Sequence, residues 1–600
     1  MRMLNGIDAL DWAALEHAYG PADDIPALLR AAAGPDVAAE VRDEALDELF
    51  SSLCHQGSVY SATAAAVPFV ARLARDAGPG VRLPLLWLLH GAADGTGPER
   101  PRVRRAVAGA LPGLLDLAAD QDPSVRSAFV RTVAACEEAS LPLLPLLRAR
   151  FDEEDDTGVR ADLVTALGLL DVSPDAARAR NRALLSAPPE VRRAAAAELL
   201  RTAPLPLPAD LVEEALDAHE AAPGDDTDHP WPAAHVPLTE RLMDDPEAAL
   251  RAVTRGLPLA RELTETWRDR EQDVLPWLAA EAADAEDLCG VARVGAALEG
   301  GEPAPWLAPH LASEDPAVRV AATHCAVRLR VPGAVGLVLR LMDELPEEAR
   351  TLGPTPFAGP GLAVTAAVEV FGTAAEPVAR RVAEDPCAAW LEALTPFPAL
   401  AAARVAELVD LLPASAGALA ALGGAAGPVA ARALRVRAGA GDLAAAAALA
   451  RVTGETGPAL DAVRAAWGDV ARRGEAVRVA GGLGPAAAPL LPLLEERLRA
   501  PARESRADAA AAIWRVTGRE RDTAPVIADQ LARAGDVHEP YPGALRALAA
   551  MGRLPAAARP AVERCATSPR RVVSGFPCDG TPHPDLEVRR LARALLAVAG

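Results

Sequence analysis

Lysine is missing from this 600-residue chain; all 61 basic side chains are arginine, a bias that reads as codon usage rather than a functional choice. Aromatic residues are scarce at 3%, although hydrophobic residues reach 51%. A core must therefore be built from Ala, Leu and Val, small side chains that suit helices packed closely in pairs. Basic charge is also short, since 61 cations face 83 acids for a net charge of −22. Nucleic-acid binders ordinarily carry a basic stripe that releases counterions from phosphate, so this balance disfavours a nucleic-acid partner. It suits a long, dispersed body instead.

Other absences narrow the chemistry. Cys54, Cys136, Cys289, Cys325, Cys387, Cys565 and Cys578 stand singly with no Cys-x-x-Cys pair, which reads as reduced core thiols of a cytoplasmic protein. The opening MRMLNGIDALDW lacks an apolar stretch and carries Asp8 and Asp11, so no signal peptide is expected. No uncharged run is apolar and unbroken: 49–71 is interrupted by His55, Gln56, Gly57 and Pro68, and 351–368 and 411–431 by glycine and proline. A membrane span is therefore not expected. No GxSxG elbow, P-loop or dinucleotide GxGxxG follows a strand, and no strands are read at all. Nucleophilic catalysis finds no support.

What the chain does have is a recurring Val-Arg pair, often opening a short alanine-rich segment. It stands at Val41-Arg42, Val81-Arg82, Val125-Arg126, Val159-Arg160, Val191-Arg192, Val318-Arg319, Val477-Arg478 and Val588-Arg589. The closest successive pairs are 34 and 32 residues apart, about one helix-turn-helix unit. Recurrence at that period marks a repeat array. Asp122-Pro123 supplies an N-cap and a proline at the first helical position, after which Val125, Phe129, Val130 and Val133 fall on one face. Asp245-Pro246, Asp315-Pro316 and Asp385-Pro386 offer the same start. Stops recur as well: Phe371-Gly372, Leu422-Gly423 and Leu483-Gly484 are each followed by proline, and Arg451-Val-Thr-Gly454 returns as Arg515-Val-Thr-Gly518. Glycine there predicts a left-handed C-cap.

The Asp-Pro-x-Val-Arg start, the closing Leu-Gly and the two-helix period resemble HEAT repeats, including the PBS-lyase-like variety common in bacterial proteins. The resemblance spans most of the chain and is most legible over 35–202, 314–345 and 420–531. It implies an all-α fold, an α-solenoid wound as a right-handed superhelix of antiparallel helix pairs, about 13–16 of them if each takes roughly 35–45 residues. It also implies that the Val-Arg segment opens the second helix of a pair, on the concave side. Asp122 with Arg126, and Asp315 with Arg319, would then tie neighbouring repeats together. Arg82, Arg160 and Arg192 lack the full Asp-Pro prefix, so this ladder is uneven. One HEAT family, the deoxyhypusine hydroxylases, binds iron through His-Glu dyads. Only His219-Glu220 and His538-Glu539 occur here, neither after a Val-Arg helix, so no metal and no cofactor is expected.

Three stretches break the rhythm. Residues 219–240 hold prolines, glycine, acids and His219, His229 and His235, and read as an acidic hinge between repeats 1–218 and 241–600. A divalent ion could sit among Asp225, Asp226, Asp228 and these imidazoles, but a solvated linker is the favoured reading. Residues 350–362 form a shorter loop, and 568–586 an insertion before a final helix starting near Asp585. Cys565, Cys578 and His583 match no zinc signature.

The candidate binding residues gather near the N-terminus. His55, Gln56 and Tyr60 follow one helix, and Trp87 and His90 are read at the end of the next equivalent one. Trp12, His17 and Tyr19 belong to the first helix and its exit. Two histidines one repeat apart, with aromatics beside them, suit a pocket for a partner; histidines capping helix C-termini would account for the same pattern. The function expected is a non-catalytic cytoplasmic scaffold or adaptor that grips a protein partner, one with a basic patch, along the concave groove of the solenoid or at this N-terminal cluster, with a monomer favoured. A lyase-like or ligand-handling enzyme, and a nucleic-acid binder, are the alternatives.

Overall fold

The computed structural model describes residues 4–34, 37–171, 173–222, 231, 235–345, 360–501, 503–532, 541–575 and 580–599. Among them the chain is helical almost throughout, with consecutive helices packed in pairs as an α-solenoid. The expectation of no strands needs a small correction: Glu16–His17 and Gly20–Pro21 form a two-residue antiparallel hairpin.

Local chemistry explains the helix ends. Asp122, Asp156, Asp245, Asp284, Asp315, Asp442 and Asp469 each precede a helix and accept a hydrogen bond from its first turn. Such a cap stabilises a helix by about 1 kcal/mol. Asp385 departs from the pattern. It ends the helix Glu376–Glu384 and is followed by the 3-10 segment Ala388–Leu394. Val477-Arg478 also opens nothing, since it lies inside the helix Val470–Gly482 that Asp469 caps. The glycine stops follow the sequence prediction except at one position. Gly454 caps its helix in the left-handed conformation, φ 79°, and Gly518, Gly372 and Gly484 also take positive φ, whereas Gly423 combines φ 54° with ψ −135°, outside the left-handed helical region. Two helical runs, Gly361–Glu384 and Ala416–Gly439, are long and apolar enough to cross a membrane by length and composition. Each is really two helical pieces meeting at Gly372 or Gly423, and each buries side chains such as Val364 and Leu419 in the core.

The chain divides into two compact units, Met1–Arg255 and Gly256–Gly600. The division falls after the 219–240 stretch, of which Asp225, Asp226, Asp228 and His229 lie outside the described residues, as do His538, Glu539 and Cys578. In the first unit the helices Pro79–Asp94, Pro123–Ala135, Thr157–Leu170 and Pro189–Arg201 pack side by side in chain order. All four open with a Val-Arg pair. Val125, Val159 and Val191 are buried between neighbours, while Arg82, Arg126 and Arg192 reach onward and Arg160 lies over the ring of Phe151. Arg82 pairs with Asp120, Arg126 clasps Glu154 through bonds of 2.9 and 2.6 Å, and Arg192 pairs with Glu214. Asp122 and Asp315 instead cap their own helices, and Arg319 donates to Ser313 O and Glu314 O of its own turn. The tie that the HEAT resemblance implies at those three residues is thus a local one. An arginine fork matches either a carboxylate or two carbonyls, so the same residue serves both ends.

The second unit has a comparable row, running from Ala285–Gly295 through Pro316–Arg328 and Pro360–Phe371 to Tyr541–Met551 and Pro584–Ala599. Its two ends are joined. The segment after Thr567 runs antiparallel to the residues after Leu263: Arg268 N donates to Pro569 O and Arg571 N to Thr266 O, both at 2.9 Å. Asp585, fully buried at the start of the last helix, takes two bonds from Arg268, at 2.6 and 2.8 Å, and one from Val572 N. The described residues of the stretch read as an insertion, 568–575 and 580–586, therefore form a fastening strip.

Candidate binding surfaces

The N-terminal residues separate into core and rim. Trp12 is buried against Phe69 and donates its indole N–H to Ile7 O at 2.8 Å. His17 is buried too, with Nε2 3.2 Å from Asp24 and Nδ1 accepting from Tyr19 N. Tyr19 is 60% exposed, and its hydroxyl bonds Ser51 and, at 3.1 Å, His55 Nδ1. Gln56 is exposed beside it at φ 47°, and Tyr60 N donates to Thr63 Oγ1 to start the next helix. His90 does not end its helix, which continues to Asp94. It is buried edge-on against Trp87, ring centroids 5.6 Å apart. His55 thus meets Tyr19 and His90 meets Trp87. The helical turn after His90 is apolar, Gly91 to Ala93, which is why the sequence could be read as stopping there.

A second surface includes only Trp87 from that set. The Val-Arg row of the first unit carries a groove of about 520 Å³ lined by Trp87, Ser127, Arg131, Asp162, Glu190 and Arg193, among others. Helical spacing puts Ser127 and Arg131 one turn apart, and both converge on Asp162 of the next helix, Arg131 at 3.1 Å. The Arg131 guanidinium lies 4.7 Å from the ring of Trp231 and 6.0 Å from that of Trp87. Cation–π attraction of this kind holds a charge in place without neutralising it. Trp231 comes from the stretch read as a solvated hinge. A lone tryptophan between two prolines, in a chain so poor in aromatics, was the available signal.

The joined ends of the second unit bury a dense set of charges. Arg571 pairs with Glu271 at 2.6 Å, and Glu265 faces both Arg293 and, at 3.1 Å, His583 Nε2. His583 Nδ1 accepts from Asp585 N, which leaves the proton of the neutral ring on Nε2, the nitrogen nearer Glu265. Burial alone would raise the Glu265 carboxyl, but hydrogen bonds from His583 and Arg293 outweigh it and hold the group down at about 2. His324 is fully buried, and burial pushes its imidazole down to about 4 although Nε2 donates to Gly580 O at 2.9 Å. A Cβ at Gly580 would meet that ring at 3.0 Å, so the strip approaches closely only because glycine is there. Burial likewise raises the thiols of Cys54 and Cys136 to about 12 and that of Cys565 to about 11. Among the described residues, no three His, Cys, Asp or Glu side chains group as metal ligands would.

No protein-family model matches the chain, and no curated protein matches it. Solved structures do resemble it. Kap95 in its complex with Nup1 aligns over 100% of this chain and 93% of its own, at 13% identity and a TM-score of 0.45. Kap121p bound to Pho4p aligns over 96% and 79%, at 12% identity and 0.44. Yeast importin-beta, Kap95p, aligns over 96% and 83%, at 12% identity and 0.35.

Proposed function

We propose that this protein is a HEAT-like, non-catalytic scaffold of the cytoplasm that holds a protein partner in the groove on the Val-Arg row of its first unit. The observation that carries the reading is the lining of that groove. It presents fixed charges of both signs and an aromatic ring on rigid helices, a surface suited to recognising a segment of polypeptide. The chain's excess acid favours a partner with a basic patch, because opposite potentials steer encounter.

The test is affinity capture of the tagged full-length chain from a lysate of its own source. Wild type would be run beside Glu190→Arg/Arg193→Glu in the groove, and beside Arg435→Glu, far along the second unit, as a control. A stoichiometric partner lost only in the groove variant supports the proposal. Equal capture by all three, or none by any, overturns it. Alanine at His55, Tyr60 and His90 together is a poor probe, because buried His90 packs on Trp87 and its loss disturbs folding.

A further inference from the structure

In the second unit, where the final helix meets Pro316–Arg328 and Pro360–Phe371, a cavity of about 570 Å³ opens. Its charged lining is Arg328, Arg330, Arg590, Glu369 and Glu587, with His583. The acids are already engaged. Glu369 accepts from Arg328 Nη1 at 2.9 Å, and Glu587 is clasped by Arg546 on both oxygens. Arg330 donates to Leu298 O, but neither Arg330 nor Arg590 pairs with a carboxylate among the described residues. Arg328 is only 5% exposed, yet its Nε–H has no acceptor there. A buried donor left unmade is costly, so an acceptor at this spot is favoured. Arg330 also holds a left-handed backbone, φ 56°, at the position after a helix where glycine is the ordinary choice. A side chain kept there against the backbone preference fits a residue with a task.

We propose that this cavity binds a small molecule bearing a dianionic phosphate group. Two guanidiniums that form no ion pair among the described residues match a dianion in number, with Glu587, near Arg590, already held by Arg546, and the free N–H of Arg328 adds a donor. Guanidinium forks are the side chains best shaped for phosphate oxygens. The volume lies within the range of small-ligand sites. One wall, Pro582 to Arg590, belongs to the fastened C-terminal end of the unit; the other, Ala296 to Glu369, belongs to the opposite end. A bound phosphate therefore bridges the two and stabilises their junction by mass action. This site stands independently of the groove in the first unit.

Calorimetric titration of the full chain with inorganic phosphate, against chloride at matched ionic strength, tests the site, with thermal melting as the second readout. Saturable phosphate binding and a raised melting temperature are expected. Arg330→Gly relieves the backbone while removing a charge, so it should melt no lower without phosphate and bind it roughly tenfold more weakly. Arg590→Gln, on an exposed side chain, should weaken binding by a similar factor with an unchanged fold. Absence of saturable binding, an equal effect of chloride, or wild-type affinity in both variants overturns the proposal.

Discussion

The two units use the same repeat grammar and hold themselves together differently. In the first, Arg82, Arg126 and Arg192 of the Val-Arg row reach acids 22 to 38 residues away and tie their repeats to a neighbour, while Arg160 lies over the ring of Phe151. In the second, Arg268–Asp585 and Asp269–Arg589 join residues 317 and 320 apart. An array held by nearest neighbours can lose order locally, one repeat at a time. A row whose first and last members are fastened must give up the closure of a very long loop before either end is free. The lesson is that repeat grammar specifies the row and leaves open what its ends do.

The largest test of this contrast is Asp585→Ala. It strands Arg268, a guanidinium that is itself almost fully buried, and should cost about 3–5 kcal/mol. Hydrogen exchange should show the loss at both ends of the second unit together, around Thr266 and Arg571. Glu154→Ala removes the acid shared by Arg126 and Arg150 in the first unit and should cost less, about 2 kcal/mol, with faster exchange confined to adjoining repeats. Confinement in both variants, or spreading in both, would erase the difference between the units.

Acid sharpens the comparison further. His324 ionises at about 4 in the folded chain, below its ordinary 6.5, so the unfolded form binds more protons between those values. Stability from this group is complete above pH 6.5 and declines as pH falls towards 4; burial also holds His583 below its ordinary value, so His324→Gln should make that limb of a melting-temperature profile shallower. Glu265, held at about 2, contributes to a second decline from 4.5 downward, shared with the lowered carboxyls of Asp269 and Glu587, that Glu265→Gln should lessen. Helix caps should not distinguish the units. Asp122→Ala and Asp315→Ala should each cost about 1 kcal/mol by chemical denaturation. The smallest effect is expected at Arg435→Ala, where a solvent-exposed pair with Glu455 should leave melting unchanged.

Much of the fold was legible because it is local. Asp122 and Asp315 cap where Asp-Pro was read, and Gly454 and Gly518 stop where Arg-Val-Thr-Gly was read. Errors came where one signal had two meanings. Asp385 carries the same dipeptide but faces a 3-10 segment, and the small residues after His90 continue a helix instead of ending it. The binding surfaces were harder to see, for a reason of distance. Arg131 finds Trp87 and Trp231 from separate places in the chain, and Arg571 finds Glu271 across 300 residues. No period connects such residues, and in sequence 568–586 looked like interruption because its partners lay at the far end of the row.

The fastening at Thr266, Arg268, Pro569 and Arg571 has a consequence for how such a chain can change over generations. An open array lengthens or shortens by whole modules, since each new one needs only a neighbour to lean on. A row whose last member must arrive beside its first has a tally to keep. Gain or loss of a single module would carry Asp585 away from Arg268 by the width of a helix pair. The first unit is free to vary in length; the second has to count.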